Sequence, residues 1–378
     1  MSTLLPDLRF ALRQLRRDPG FALVAILTLG VGIGATTSVF SVFNETLFGS
    51  ITSPGSERFA RIVWVLLGAV SLLLLLGCAS VSSLLLARTA GRQRELALRA
   101  TLGAQRPRVF RQLIVESQVL AFMSAGFGLI SVAWVLPTVQ ALAIDSMPHL
   151  ADASIDLGVV VFTVLVAVAT GFVCGLAPAY QASKEEMDQT LRGGEGIVTG
   201  GSQSIRDALV VCQLALAVVL LVGAGLLTNS FLRMLDIDVG RNAAALSGLR
   251  LNVILVGLFA AVALGLAALG VYAVTAFAVA RRKREIGVRM ALGAAPARII
   301  GITLSSGTKL IVYGTAIGFV GALGLSRFLR SLLYEIGPND PFTYAVVTLV
   351  LAIVATVANY LPARRATKIE PRVAFVSE

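Results

Sequence analysis

Apolar positions along most of the chain run on without the interruptions an amphipathic soluble fold needs. They form eight blocks, at about 21–43, 62–87, 113–136, 157–179, 208–232, 253–280, 299–325 and 343–362, each closed by polar or charged flanks. A helix rises ~1.5 Å per residue, so roughly 20 apolar residues cross a hydrocarbon core of ~30 Å. Eight such runs predict an all-α polytopic membrane protein with eight transmembrane helices. A different pattern precedes the first run. Leu5, Leu8, Leu12 and Leu15 recur at helical spacing while Arg9, Arg13, Arg16 and Arg17 take other faces, which predicts a short amphipathic helix on the membrane surface within 1–20. Asp18, Pro19 and Gly20 then turn the chain into the first span. That span is too long for the apolar region of a secretory signal and lacks a small-x-small cleavage site, so it reads as a retained helix.

Composition sharpens this picture. Hydrophobic residues make up 56% and charged ones 14%, and a mean hydropathy of +0.84 excludes an ordinary soluble enzyme. The net charge of +11 is explained by sidedness. With an even number of spans, the two ends of the sequence and alternate loops share a side. That side holds 24 of the 32 basic residues, the other side holds seven, and Lys309 lies inside a span. The positive-inside bias therefore places both ends and the basic loops in the cytoplasm. A nucleic-acid groove would interleave these charges with aromatic rings, which the cytoplasmic loops lack, so no nucleic-acid partner is expected. Cys78, Cys174 and Cys212 sit in or beside apolar runs and read as small hydrophobes rather than as a disulfide or zinc set. His149, the single histidine, stands in an outer loop near Asp145 and Asp152 and reads as solvated, with no metal.

An internal repeat organises the chain. RQRELALRATLGA at 92–104 returns as RKREIGVRMALGA at 282–294, identical at seven of thirteen positions. A second echo pairs Pro178, Ala179, Ala182 and Lys184 with Pro362, Ala363, Ala366 and Lys368 at the end of a fourth span. The chain thus divides into an interfacial helix at 1–20, a four-span unit at 21–182, a glycine-containing cytoplasmic linker at 183–207 and a second four-span unit at 208–378. Each unit starts inside and crosses an even number of times, so the repeats are parallel and form a pseudo-dimer about an axis along the membrane normal.

The repeated segment follows the second span of each unit, is rich in helix formers and ends in a glycine suited to a left-handed cap. Glu95 to Arg99 and Glu285 to Arg289 are i, i+4 ion pairs in the favourable order. Positive-inside bias alone asks only for charge somewhere in the loop. Arg, Glu, Arg, Leu and Gly held in one register in both units point instead to a shape presented twice, which suits a two-fold partner.

These residues resemble the MacB/FtsX-like permeases of ABC transporters, in particular the tandemly duplicated orphan permeases named from acidobacteria. The resemblance rests on both RxRExxxRxxLGA segments, on Leu5 to Phe48, on Arg206 to Gly240 and on the proline-alanine ends at Pro178 and Pro362. It implies that the segment after the second helix docks on an ABC ATPase. Arg94, Glu95, Arg99, Leu102 and Gly103, with Arg284, Glu285, Arg289, Leu292 and Gly293, are then ATPase-coupling residues. It also implies mechanotransmission: closure of an ATPase dimer inside drives movement outside, toward a periplasmic adaptor or another envelope protein. Family permeases carry a large extracytoplasmic domain between the first and second helices of each unit. Here the stretches at about 44–61 and 233–252 are short.

A motor is not expected in the chain itself. A P-loop needs glycines followed by Lys and Ser or Thr to hold phosphate. The run Gly30, Gly32, Gly34 has no such lysine and lies within a span, where Gly30 and Gly34 read as a helix-packing face, as do Gly314 and Gly318 in the seventh span. HExxH and GxSxG motifs are missing too, so no catalytic residue and no bound cofactor are assigned, and ATP with Mg belongs to the partner. Two candidate intramembrane charges, Glu116 and Lys309, keep an ion-gradient-driven secondary transporter open as a rival reading. A truncated, non-transporting permease relic is the third. Interfacial membrane lipid completes the expected partners.

Overall fold

In the computed structural model, residues 4–49, 56–90, 106–143, 156–191, 201–237, 243–281, 295–329 and 340–366 are described. Among them are nine helices and no strand: α1 Leu4–Arg17, α2 Pro19–Gly49, α3 Ser56–Ala90, α4 Arg106–Ala143, α5 Leu157–Leu191, α6 Gly201–Ile237, α7 Ala243–Arg281, α8 Pro296–Leu329 and α9 Pro341–Ala366. Each helix from α2 to α9 contains one window long and apolar enough to cross a membrane, eight in all. The chain is a multi-pass, all-helical membrane protein. Seven windows fall within a few residues of the apolar runs. The window of α8 begins later, at Gly307, because Gly301, Thr303, Ser305 and Ser306 dilute the apolar character of its first turns.

Local chemistry sets the helix starts. Asp18 precedes Pro19, whose fixed φ suits a first helical position, and the Asp18 carbonyl accepts from the Ala22 amide at 3.2 Å. Asp156 caps α5 by accepting from the Val159 amide at 2.8 Å. Asp340 caps α9 in the same way, accepting from the Thr343 amide at 3.3 Å and hydroxyl at 2.6 Å. The two caps stand equally far ahead of Pro178 and Pro362. Helices α5 and α6 also run into the stretch read as linker, leaving 192–200 outside the described residues. On the opposite side, α2 reaches Gly49 before α3 starts at Ser56, and α6 reaches Ile237 before α7 starts at Ala243.

In the first half α2 packs on α3 and α4, and α4 packs on α5; in the second, α6 packs on α7 and α8, and α7 packs on α9. The α6 window is 61% buried against 22% for that of α7, which makes α6 the interior helix of its half. Helix α3 is the seam. Cys78, Val81 and Leu85 join Leu29, Ile33 and Leu120 in the core of the first half. Leu73 and Leu76 instead join Leu214, Val218, Leu266 and Leu351 in the core of the second. Large apolar side chains elsewhere point outward, Trp134 at 81% exposure among them, as lipid-facing residues should.

Polar links fix this seam. The Ser80 hydroxyl lies 3.2 Å from the Leu266 carbonyl, and the Gln213 amide donates to Ser80 at 3.2 Å. Buried Arg206 donates to the Leu86 carbonyl at 3.2 Å. In an apolar surround such groups are costly unless bonded, so they specify one register between the halves.

Candidate coupling site

Several helix ends gather at one end of the bundle. Arg88, two residues short of the end of α3, donates one guanidinium nitrogen to Glu116 of α4 at 2.9 Å. Its other terminal nitrogen meets Asp18 at 2.7 Å and the Gln14 carbonyl of α1 at 2.9 Å. The guanidinium carbon also lies 4.6 Å from the centre of the Phe21 ring, a cation–π distance. Arg111 pairs with Asp7 at 2.9 Å, tying the other end of α1 to α4. One arginine therefore joins four helices. Its partner Glu116 has a side chain only 7% exposed, so the pair is a charge-assisted bond in a largely dry setting.

Position gives this cluster its interest. Helices α3 and α4 hardly touch, yet the repeated basic segment at 92–104 connects them in sequence, and Arg88, four residues before it, bridges them. The second half has a different clamp at the equivalent place. Asn359 of α9 accepts from Thr275 of α7 at 2.9 Å and donates to the Leu304 carbonyl of α8 at 3.4 Å. It thereby links the two helices that flank 282–294, which also pack little against one another. Arg365 adds a bond of 2.8 Å to the Tyr272 hydroxyl. Both segments thus spring from helix pairs held together by polar side chains rather than by broad packing.

Arg94, Glu95, Arg99, Leu102, Gly103, Arg284, Glu285, Arg289, Leu292 and Gly293 lie outside the described residues, as does His149. Glu116 lies near the start of the Phe110–Trp134 window, in the Arg88 cluster. Lys309 is exposed at the start of the Gly307–Arg327 window. Neither reaches the middle of its window. Gly34 faces Gly128, where an added Cβ would stand 3.3 Å from the Gly128 Cα, and Gly30 faces Phe127. Gly314 and Gly318 lie against Leu214 and Val218 of α6. Span one meets span three through glycine in both halves, with the glycines on α2 and α4 in one and on α8 in the other.

Sequence reasoning missed Arg88, Asp18, Gln14, Thr275 and Asn359 as members of these clamps. In the sequence Arg88 counts only toward the cytoplasmic charge, and Asp18 reads only as a turn residue. A signal was available for the caps, since Asp156 and Asp340 repeat at matching distance from the two prolines.

The family model described as FtsX-like permease C-terminal matches residues 67–187 and again 257–371. A macrolide export ATP-binding/permease protein MacB of Wolinella succinogenes is 32% identical over 130 residues, which is 33% of this chain and 19% of that protein. A pyoverdine export ATP-binding/permease protein PvdT of Pseudomonas syringae pv. syringae is 34% identical over 125 residues, again 33% of this chain and 19% of its own length. The chain thus aligns with about a fifth of the length of these curated relatives. No solved structure matches. Each family match starts within a second span, takes in one repeated segment with the polar-linked residues of the two helices that flank it, and runs past the fourth-span proline: the chain belongs to the FtsX-like permease family.

Proposed function

We propose that the chain is the non-catalytic permease subunit of a MacB/FtsX-like ABC transporter of the bacterial inner membrane, with both ends of the sequence cytoplasmic. A separate ATPase dimer grips the two RxRExxxRxxLGA segments of a pseudo-dimer, and nucleotide-dependent closure becomes helix movement for export or envelope mechanotransmission. One observation carries this reading: the family match occurs twice, and each copy contains the same charged segment rooted in a polar-clamped helix pair. The relatives named for macrolide and pyoverdine export support the export class. The relatives' names pair ATP binding with a permease, which supports an ATPase as this chain's partner.

The clamps supply the mechanics. A push on 92–104 reaches α3 and α4 together because Arg88 ties them, and reaches α1 and α2 through Gln14 and Asp18. Movement of α3 is passed to the second half at Ser80 and Arg206. Pairing of Glu116 with Arg88 supports a structural role for that carboxylate over an ion-coupling one. The test is the double substitution Glu95→Lys/Glu285→Lys, which reverses both helix ion pairs. It is expected to abolish stimulation of the partner ATPase while leaving membrane insertion intact. Undiminished stimulation by the double variant overturns the coupling assignment.

A further inference from the structure

Helix α1 is tied at three places to residues where spans leave the hydrocarbon. Asp18 precedes the first window at Pro19, Arg88 closes the second and bonds the Gln14 carbonyl, and Arg111 stands beside Phe110 at the start of the third and pairs with Asp7. Both ends of the helix are therefore tied to the ends of apolar windows. At 3.6 residues per turn its surfaces follow in a fixed order. Ala11 and Leu15 are buried against the bundle; Leu8 and Leu12 come next, 44% and 42% exposed. Arg16, Arg9, Arg13 and Arg17 follow, all exposed. Leu23 and Leu27 of α2 are exposed as well. The acidic groups tied into this helix, Asp7 and Asp18, are each engaged by an arginine of another helix. Among the described residues, none of the four α1 arginines forms an ion pair.

We propose that this face of α1 is a binding surface for anionic phospholipid headgroups of the inner leaflet. Leu8 and Leu12 enter the acyl boundary, and Arg9, Arg13 and Arg16 hold lipid phosphates, with Arg17 at the margin. The order of the side chains matches the order of the medium: bundle, acyl chains, headgroups, water. The requirement is for acidic lipid, because a row of guanidinium groups gains from the negative surface potential as well as from phosphate hydrogen bonds. The proposal takes its leaflet from the cytoplasmic placement of the sequence ends proposed above but is independent of coupling, since no ATPase takes part in it.

The experiment titrates the detergent-solubilised full chain with fluorescent phosphatidylglycerol and, separately, phosphatidylcholine. Wild type is expected to prefer phosphatidylglycerol, and Arg9→Gln/Arg13→Gln/Arg16→Gln to lose about fivefold of that preference per arginine removed, with the effect shrinking in high salt. Arg327→Gln, an exposed arginine on α8, is expected to retain the preference. Circular dichroism establishes that the triple variant keeps its helix content; should it unfold, Arg13→Gln alone is expected to show the single fivefold loss. Equal binding of the two lipids, an unchanged triple variant, or the same loss in Arg327→Gln overturns the proposal. Displacement by equimolar inorganic phosphate overturns it in favour of a simple anion site. Lost ATPase association with lipid preference intact overturns it in favour of a protein-docking face.

Discussion

Replacing Arg88 by Met keeps an unbranched stem beside Phe21 but removes a cation that meets three acceptors. The contact with Asp18, whose side chain is 50% exposed, is worth about 0–1 kcal/mol in high dielectric. The bond to Glu116 differs because the two side chains are 11% and 7% exposed, and withdrawing one charge from such a pair costs about 3–5 kcal/mol. Arg88→Met is thus predicted to destabilise by about 3–5 kcal/mol, Glu116→Met by a similar amount, and the double variant by about 2–3 kcal/mol less than the sum. Reversible denaturation of the detergent-solubilised protein measures all three. If the losses are additive, or if Arg88→Met costs under about 1 kcal/mol, the claim that this pair clamps the root of the 92–104 segment is refuted.

Other consequences follow from the same geometry. A Cβ at Gly128 would stand 3.0 Å from backbone atoms of both Gly30 and Gly34, so Gly128→Ala is predicted to cost about 1–3 kcal/mol, whereas Gly126→Ala, with open space beside it, should be near neutral; thermal unfolding of the pair compares them. Asp340→Ala removes a cap that also accepts from Asn229 at 3.1 Å and should cost about 1–2 kcal/mol by the same assay. The Thr343 hydroxyl holds the Asp340 carboxyl below its ordinary value of 3.8, so its stabilisation is complete above that value and is lost as pH falls through the lowered folded value. The gap between wild type and Asp340→Asn should therefore be full at neutral pH and close in acid. Asn359→Leu removes the link between Thr275 and the Leu304 carbonyl, and is predicted to lower ATPase stimulation with insertion retained, read in proteoliposomes containing the partner.

Much of the architecture is written in one dimension. A transmembrane helix satisfies its backbone internally, so apolar run length alone locates it, and only α8, with its polar first turns, shifts noticeably. The clamps were not legible because they depend on which helices become neighbours. Nothing in the spacing of Arg88 and Glu116 along the chain announces a bond, and Asn359 is one amide in an apolar run until Thr275 and Leu304 flank it. The glycines show the same limit. Spacing nominated Gly30, Gly34, Gly314 and Gly318, but that Gly128 rather than a side chain meets Gly34 is a fact of packing.

The most direct test of the account places a single cysteine at Arg94 or at Arg284 in a background where Cys78, Cys174 and Cys212 are replaced by Ala. The reagent is a membrane-impermeant thiol cross-linker, applied to inside-out vesicles that contain the ATPase. The account predicts that both positions react from the cytoplasmic side and that each cross-links to the ATPase, with nucleotide changing the yield at both. Reaction only from the outer face, or cross-linking at one segment alone, would contradict it.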